Sequence, residues 1–430
     1  MHDNGRYVES RHDGYGFLVK ALLPLVAAAL LFPASARAEP VAPGVAAAAL
    51  TVARDGTPRV AWLDGRRLVV ATRGDTWRPS AVATLPSEGR IAGLTEGAVL
   101  VEGRRSWIRL VVRRGDAWRV VKVADAPKRA LLGASGLVLD ARGRPFVAYG
   151  IQHEDETTAL HLARLGTNGR ITRTQVTRNG FPPSVLPPAA APVLWPNGTI
   201  RVVESFSQRG ANAILWRREG DRWWGQVLHT STLGAASLPL FAASAADGFY
   251  LLWTIPYLTF GENHLVLSTR IDRSRSAVLH RNAFAAALVL GPNGPEVAAN
   301  ERFQGLWAGL LAAGAVATEL DGLILGYAAT PSGGRQLLLA RREGLEWFEL
   351  GAAPTIRFVN DSAGWRVEGA TGGTVTVYEE SPSARRAVFE SAVAADGTFS
   401  FSLPIVPGPA YRLIYVDPAT GVPYGRLLRP

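Results

Sequence analysis

The chain contains no cysteine, so disulfides, thiolate zinc sites, iron-sulfur clusters and cysteine nucleophiles are all excluded. Its one methionine is Met1, and Lys20, Lys122 and Lys128 are its only lysines, so the net charge of +10 is written almost wholly in arginine. No apolar run approaches the roughly 20 residues that a membrane-spanning helix needs. Nor is there a helical period of useful length, a Gly-x-Ser-x-Gly elbow, or a Gly-rich phosphate loop leading into a helix. What remains is 430 residues, 47% hydrophobic and 19% charged, enough to bury a sizeable core and incompatible with global disorder.

The N-terminus reads as an address. Ala21 to Phe32 is a twelve-residue apolar run broken by Pro24, preceded by Arg6, Arg11 and Lys20 and followed by Ala36-Arg37-Ala38, a small-x-small cleavage pattern. This predicts a signal peptide over 1–38, cut after Ala38, and a secreted or periplasmic mature protein with no transmembrane segment. Removing it takes away four basic and three acidic residues and lowers the net charge by one.

From about residue 44 the chain alternates in short segments punctuated by Gly and Asp-Gly turns. Arg73-Gly74-Asp75-Thr76-Trp77-Arg78 returns as Arg114-Gly115-Asp116-Ala117-Trp118-Arg119, 41 residues on, with looser copies ending at Trp223 and Trp347. Gly56-Thr57-Pro58-Arg59-Val60-Ala61-Trp62 returns as Gly143-Arg144-Pro145-Phe146-Val147-Ala148-Tyr149, two periods later. A period of about 40 to 45 residues marks a four-stranded propeller blade. The expected fold is therefore all-β: a β-propeller over 44–352 with blades near 44–85, 90–125, 130–178, 186–230, 236–281 and 309–352. Six blades with an insertion at 282–308 is the first expectation and seven with one degenerate blade the alternative. The Pro-rich run from Phe181 to Pro192 is expected to be an exposed loop.

Around Trp77 and Trp118 the blades resemble the Asp-box, sialidase-like group of bacterial propellers, with the motif reduced here to Gly-Asp-x-Trp. That resemblance implies a fold. The arginine cluster and tyrosine-carboxylate pair of a sialidase-like site cannot be matched to positions in this chain. Beyond Ala353, the runs at Thr374–Tyr378 and Thr398–Phe401 resemble a bacterial immunoglobulin-like module, with a transthyretin-like one as the alternative, which implies a β-sandwich over 354–430 acting as a spacer or adhesion element.

Most chemistry-bearing residues have structural readings. Trp77, Trp118, Trp223 and Trp347 are period-locked, as packing between blades requires. Asp75, Asp116 and Asp221 fit turn formation, and the two Arg-Gly-Asp triplets coincide with those turns. His153, Glu154, Asp155 and Glu156 lack metal-ligand spacing, so no metal and no cofactor is expected. Arginine is dispersed among acids, which speaks against a nucleic-acid partner.

One set stands apart. Aligning second strands on their preceding glycine turns, with a one-residue gap in blades two, five and six, places Trp62, Glu102, Tyr149, Glu204, Trp253 and Tyr327 at one equivalent position. Aromatic rings suit sugar faces and carboxylates suit hydroxyls, so this ring is the expected ligand-binding site. Packing would explain the aromatics, but it explains the two glutamates poorly. The expected partner is a glycan, an anionic envelope polymer or another extracellular protein. The alternatives are a structural part of an extracellular assembly and a glycoside hydrolase using Glu102 and Glu204 as its carboxylate pair.

Overall fold

The computed structural model describes residues 39–428 except 44, 46, 179–186, 208–210, 231–239, 245–247, 258–261, 270–275, 282, 292–293, 302–303, 309–317, 331, 351–355, 362–363, 381–384, 401–409 and 420. The expected leader, 1–38, lies outside the described residues. Every regular element described is a β-strand, and no helix among these residues is long and apolar enough to cross a membrane.

Seven antiparallel units follow one another, each of four strands except blade 3, whose innermost position is shared by two short strands. Blade 1 runs through Ala48–Val52, Pro58–Asp64, Arg67–Arg73 and Trp77–Thr84; blade 2 through Arg90–Leu94, Ala98–Gly103, Trp107–Arg114 and Ala117–Asp125. Blade 3 starts with Leu131–Leu132 and Gly136–Leu139, then Pro145–Gln152, Thr158–Leu165 and Ile171–Arg178, and blade 4 has Ala189–Leu194, Ile200–Ser207, Ala211–Glu219 and Arg222–Thr230. Blade 5 spans Leu240–Ser244 to Ser276–Arg281, and blade 6 has Ala283–Gly291, Gly294–Glu301, Gln304–Ala308 and Thr318–Leu320. Blade 7 has Leu323–Ala329, Arg335–Arg341 and Gly344–Leu350, and its fourth strand is Glu39–Ala42 from the start of the described chain. Each blade's first strand touches the next one's, and that of blade 7 touches that of blade 1, so the sheets close a ring. The protein is a β-propeller.

Two expectations change. Residues 283–308 are not an insertion: they supply three strands of blade 6, and Thr318–Leu320, expected to open the last blade, completes it. The ring therefore counts seven units, because the last is finished by a strand 300 residues away, which a local period cannot reveal. Secondly, the Pro-rich stretch ends in a strand, its first residues, 181–186, lying outside the described ones. Pro192 lies within Ala189–Leu194, the first and edge strand of blade 4, where a residue without an N–H is tolerated.

Packing between blades follows from strand alternation, with successive residues facing opposite neighbours. Val60, Trp62, Val69 and Ala71 face blade 7 with Leu338 and Trp347, whereas Ala61, Leu68 and Val70 face blade 2 with Val99, Val101 and Val111. The period-locked tryptophans sit in these seams as expected. Trp347 is fully buried, and Trp77 meets it edge-to-face with centroids 5.9 Å apart. Glu39 of the closing strand pairs with Arg73 at 2.9 Å, and Arg73 lies 4.3 Å over the Trp347 ring, which ties the N-terminal strand to both sides of the closure. Five blades carry a register shift at the start of the third strand, for example between Leu68 and Val69 and between Ile108 and Arg109. The repeated bulge adds local twist to the outer strand pair.

The expected boundary at 352–354 falls on residues outside the described ones. On its far side, the strands Arg385–Ala392, Thr374–Glu380, Ala410–Val416 and Pro423–Leu428 form a sheet that continues blade 6 through the pairing of Leu320 with Tyr424. A hairpin, Arg357–Asp361 with Gly364–Glu368, completes the described C-terminal strands. Phe358, Val367, Val375, Leu413 and Tyr415 share one hydrophobic cluster with Tyr327, Leu337 and Phe348 of blade 7. Asp321, just beyond blade 6, is buried and receives both terminal nitrogens of Arg385 at 2.9 Å, with Arg341 at 3.3 Å. Burial alone would raise the Asp321 pKa, but the hydrogen bonds and charge of Arg385, with Arg341 and Arg412, hold it below the ordinary value.

Candidate functional site

The structure does not assemble the six-residue ring. Trp62, Tyr149 and Glu204 lie on second strands and share strand parity with Val60, Val147 and Val202, which face the preceding blade. Glu102 shares parity with Leu100, which faces the following blade. A one-residue slip turns a side chain to the opposite face, and the single-residue gap needed to align Glu102 made that slip. Tyr327 is on the first strand of blade 7, because the segment expected as that blade's first strand belongs to blade 6. Trp253 is on the second strand of blade 5, and its side chain lies outside the described residues.

Three aromatics of this set, Trp62, Tyr149 and Tyr327, are core. Trp62 is 6% exposed among Val60, Val69 and Trp347. Tyr149 is 2% exposed and stacks on His161 at 5.3 Å; burial raises its pKa and lowers that of His161. The Tyr327 hydroxyl donates to Glu296, which also holds Arg335 through a bidentate pair at 2.6 and 2.7 Å.

Glu102 and Glu204 have different environments. One Glu102 oxygen accepts from both the backbone N–H and the hydroxyl of Ser135, a fully buried residue of blade 3, and the other meets Arg90 at 2.5 Å. Glu204 is 3% exposed, and among the described residues it accepts from the indole N–H of Trp216 at 2.8 Å. Burial, opposed only by that hydrogen bond, pushes its pKa up to about 7.

Glu102 lines a cleft of about 430 Å³ at the end of the ring where second strands turn into third strands and blades connect. Its walls come from Glu88 and Arg90 on the connection into blade 2, Arg104 and Arg105 on a turn of blade 2, and Leu132 to Ala134 of blade 3. Trp107 forms part of the wall, and its indole N–H is held by Ser87 Oγ at 2.9 Å.

The arginine turn is the unusual element. The Ser106 N–H donates to the Gly103 carbonyl at 2.7 Å, and both central residues are left-handed, Arg104 at φ 32° and Arg105 at φ 63°. Tight hairpin turns of this kind select Asn-Gly, because other side chains pay about 1–2 kcal/mol per left-handed residue. Here the sequence places two arginines there. Gly103 before them is required by space, since a Cβ would sit 1.9 Å from the Trp107 ring. The turn is fixed on its far side by donation from the Leu132 N–H to the Arg105 carbonyl at 2.9 Å. Sequence reasoning found Glu102 and missed this pair. The available signal was an Arg-Arg at the position where blade 1 carries Gly65-Arg66.

No family model matches the chain, and no curated protein matches it. Among solved structures it is similar to the WD40 β-propeller domain of Doa1, at 12% identity and TM-score 0.46, covering 73% of this chain and 96% of that one. It is also similar to the SapL1 lectin in complex with α-methyl fucoside, at 14% identity and TM-score 0.39, covering 76% and 97%. A third is an ulvan lyase of family PL25, at 11% and 0.40, covering 58% and 75%. None of these likenesses says what this chain binds.

Proposed function

We propose that the protein is a secreted, non-catalytic binding propeller that holds an acidic saccharide in the cleft between blades 2 and 3. The supporting observation is the strained Arg104-Arg105 turn at the cleft mouth. Backbone strain persists where the surroundings over-determine it, and it clusters at ligand sites. Glu102 is satisfied by Arg90 and Ser135, and Arg104 has Glu88 at 3.6 Å. Arg105 is left as the exposed cation for a sugar carboxylate, while Glu88 and the Glu102 oxygens can accept hydroxyls. Binding is favoured over glycoside cleavage because Glu204, the other carboxylate of the expected pair, does not line this cleft. The C-terminal strands serve in this reading as a brace on blades 6 and 7 and not as an immunoglobulin-like spacer.

The test is Arg104→Asn with Arg105→Gly, a double variant that relaxes the turn. Its stability should rise by about 1–2 kcal/mol while affinity for uronate-bearing glycans in a calorimetric panel falls at least tenfold. A variant that binds as tightly as the parent, or that is less stable, refutes the assignment.

A further inference from the structure

The opposite end of the ring carries a second, larger opening, a groove of about 830 Å³ in the seam between blades 3 and 4. A seam between blades is a packing surface, and its inward positions are expected to be apolar. Closer to the middle of this seam that holds: Leu160, Leu162 and Val176 of blade 3 meet Ala190 and Val202 of blade 4. Two residues further along the same strand faces, the alternation delivers Arg164, Thr174 and Thr172 instead.

The preceding seam shows what such an arginine does when it is structural. Arg114 ends the third strand of blade 2 and Arg164 is the last residue but one of that of blade 3, each two residues past an apolar position facing the next blade. Its guanidinium crosses to donate to the Thr167 carbonyl at 3.5 Å. Among the described residues Arg164 makes no such crossing, and it is exposed in the groove. On the facing wall, Arg201 lies 3.5 Å over the Trp195 ring, which fixes its plane. Burial and then the nearby charge of Arg217 press its pKa below the ordinary value. Among the described residues, no carboxylate stands within ion-pair distance of Arg164 or Arg201. The carboxylates of this groove are already committed, Asp140 to Arg144 at 2.6 Å and Glu219 to Arg217 at 2.9 Å. The lining holds five arginines against these two acids.

From this geometry we propose that the groove between blades 3 and 4 is a second binding site, for the acidic groups of a polysaccharide, with Arg164 and Arg201 as the cations that receive them. A saccharide is favoured because Trp223 joins the groove to a neighbouring cleft of about 440 Å³ walled by Trp224, and Trp224 is 53% exposed, a flat apolar face for a sugar ring beside the cations. The arginines form one compact cluster in a single seam and not the extended stripe that a nucleic-acid backbone follows. The site is independent of the cleft at the other end.

The experiment uses protein starting at Glu39 with three probes: a polygalacturonate oligomer, a low-mass dextran sulfate, and an oligothymidylate of matched charge. The parent should bind one or both sugar polymers more tightly than the oligothymidylate, and the preferred polymer tells carboxylate from sulfate recognition. Arg164→Glu should weaken that binding at least tenfold and flatten its salt dependence, and Arg201→Gln should act likewise. Arg164 is exposed, so its variant tests the site even where Arg201→Gln unfolds the blade. The Arg104→Asn, Arg105→Gly variant should leave this binding unchanged, which separates a failure here from a failure of the cleft at the other end. Equal binding by parent and Arg164→Glu, no binding to either polymer, or a preference for oligothymidylate overturns the proposal.

Discussion

Glu204 offers a stringent test of the structure because its state is set almost entirely by burial. With its carboxyl moved from the ordinary 4.5 to about 7, the fold favours the protonated form by about 3 kcal/mol, at about 1.4 kcal/mol per pH unit. The sign follows from proton counting. Below about pH 4.5 the group is protonated in both folded and unfolded chains and contributes no pH dependence. Between there and pH 7 the folded chain holds the proton that the unfolded chain releases, so stability falls as pH rises and levels off above the folded pKa. Glu204→Gln keeps the shape and an acceptor for the Trp216 N–H without the charge. The variant should match the parent near pH 4.5 and exceed it by about 3 kcal/mol at pH 8, read as the difference in urea midpoints across that range. Taking the difference matters, because His161, with its pKa lowered by burial, gives the parent and variant alike a slope of opposite sign. Parallel curves for the two proteins would mean that Glu204 is hydrated or charge-paired, and the buried environment assigned to it would be wrong.

Other expectations follow from the packing. Trp347→Ala should cost about 3–5 kcal/mol, the usual loss for a buried tryptophan, and Trp62→Ala should destabilise rather than merely weaken glycan binding, both read by denaturant unfolding. Protein lacking 1–38 should melt as one unit, whereas removing 1–43 also deletes the closing strand Glu39–Ala42 and should lower the melting temperature sharply. Ending the chain at 353 should leave blade 7 without the cluster around Phe358 and Tyr415, giving aggregation or proteolysis in place of an intact propeller fragment. An acid-side loss of stability blunted in Asp321→Asn would fit the depressed Asp321 pKa: that contribution is present above the unfolded value and lost as pH falls through the folded one.

The blade pattern was legible because a repeat obliges each unit to spell its turns alike. Gly-Asp-x-Trp at 74–77 and 115–118 marks the turn into the fourth strand of two successive blades, and the structure puts both there. The blade count was not legible from the same period, since closure is a contact between residues 39–42 and 344–350 that leaves no local mark. Nor could the shared core around Tyr327 and Tyr415 be seen, because the pattern of each sheet alone is satisfied by a free-standing sandwich. The site was half visible. Glu102 stood out as a carboxylate in an apolar strand, but its direction depended on a one-residue register, and bulges such as that between Ile91 and Gly93 shift register without changing composition.

The two proposed sites share a logic that a repeat fold makes readable. In a ring of like units each structural position is occupied several times over, so the requirement at that position can be read from its copies. The turn between second and third strands is met in blade 1 by Gly65-Arg66 and in blade 2 by Arg104-Arg105, and only the second choice puts non-glycine residues in the left-handed region at both central positions. Near the end of the third strand stand Arg114, which bonds the next blade, and Arg164, which among the described residues does not. In each case the copy gives its guanidinium a partner within the fold, Arg66 the Leu85 carbonyl and Arg114 the Thr167 carbonyl. What the packing does not require at Arg105 and Arg164 is then available to a ligand, and a chain that departs from local consistency at a few cleft positions is the expected form of a binding protein.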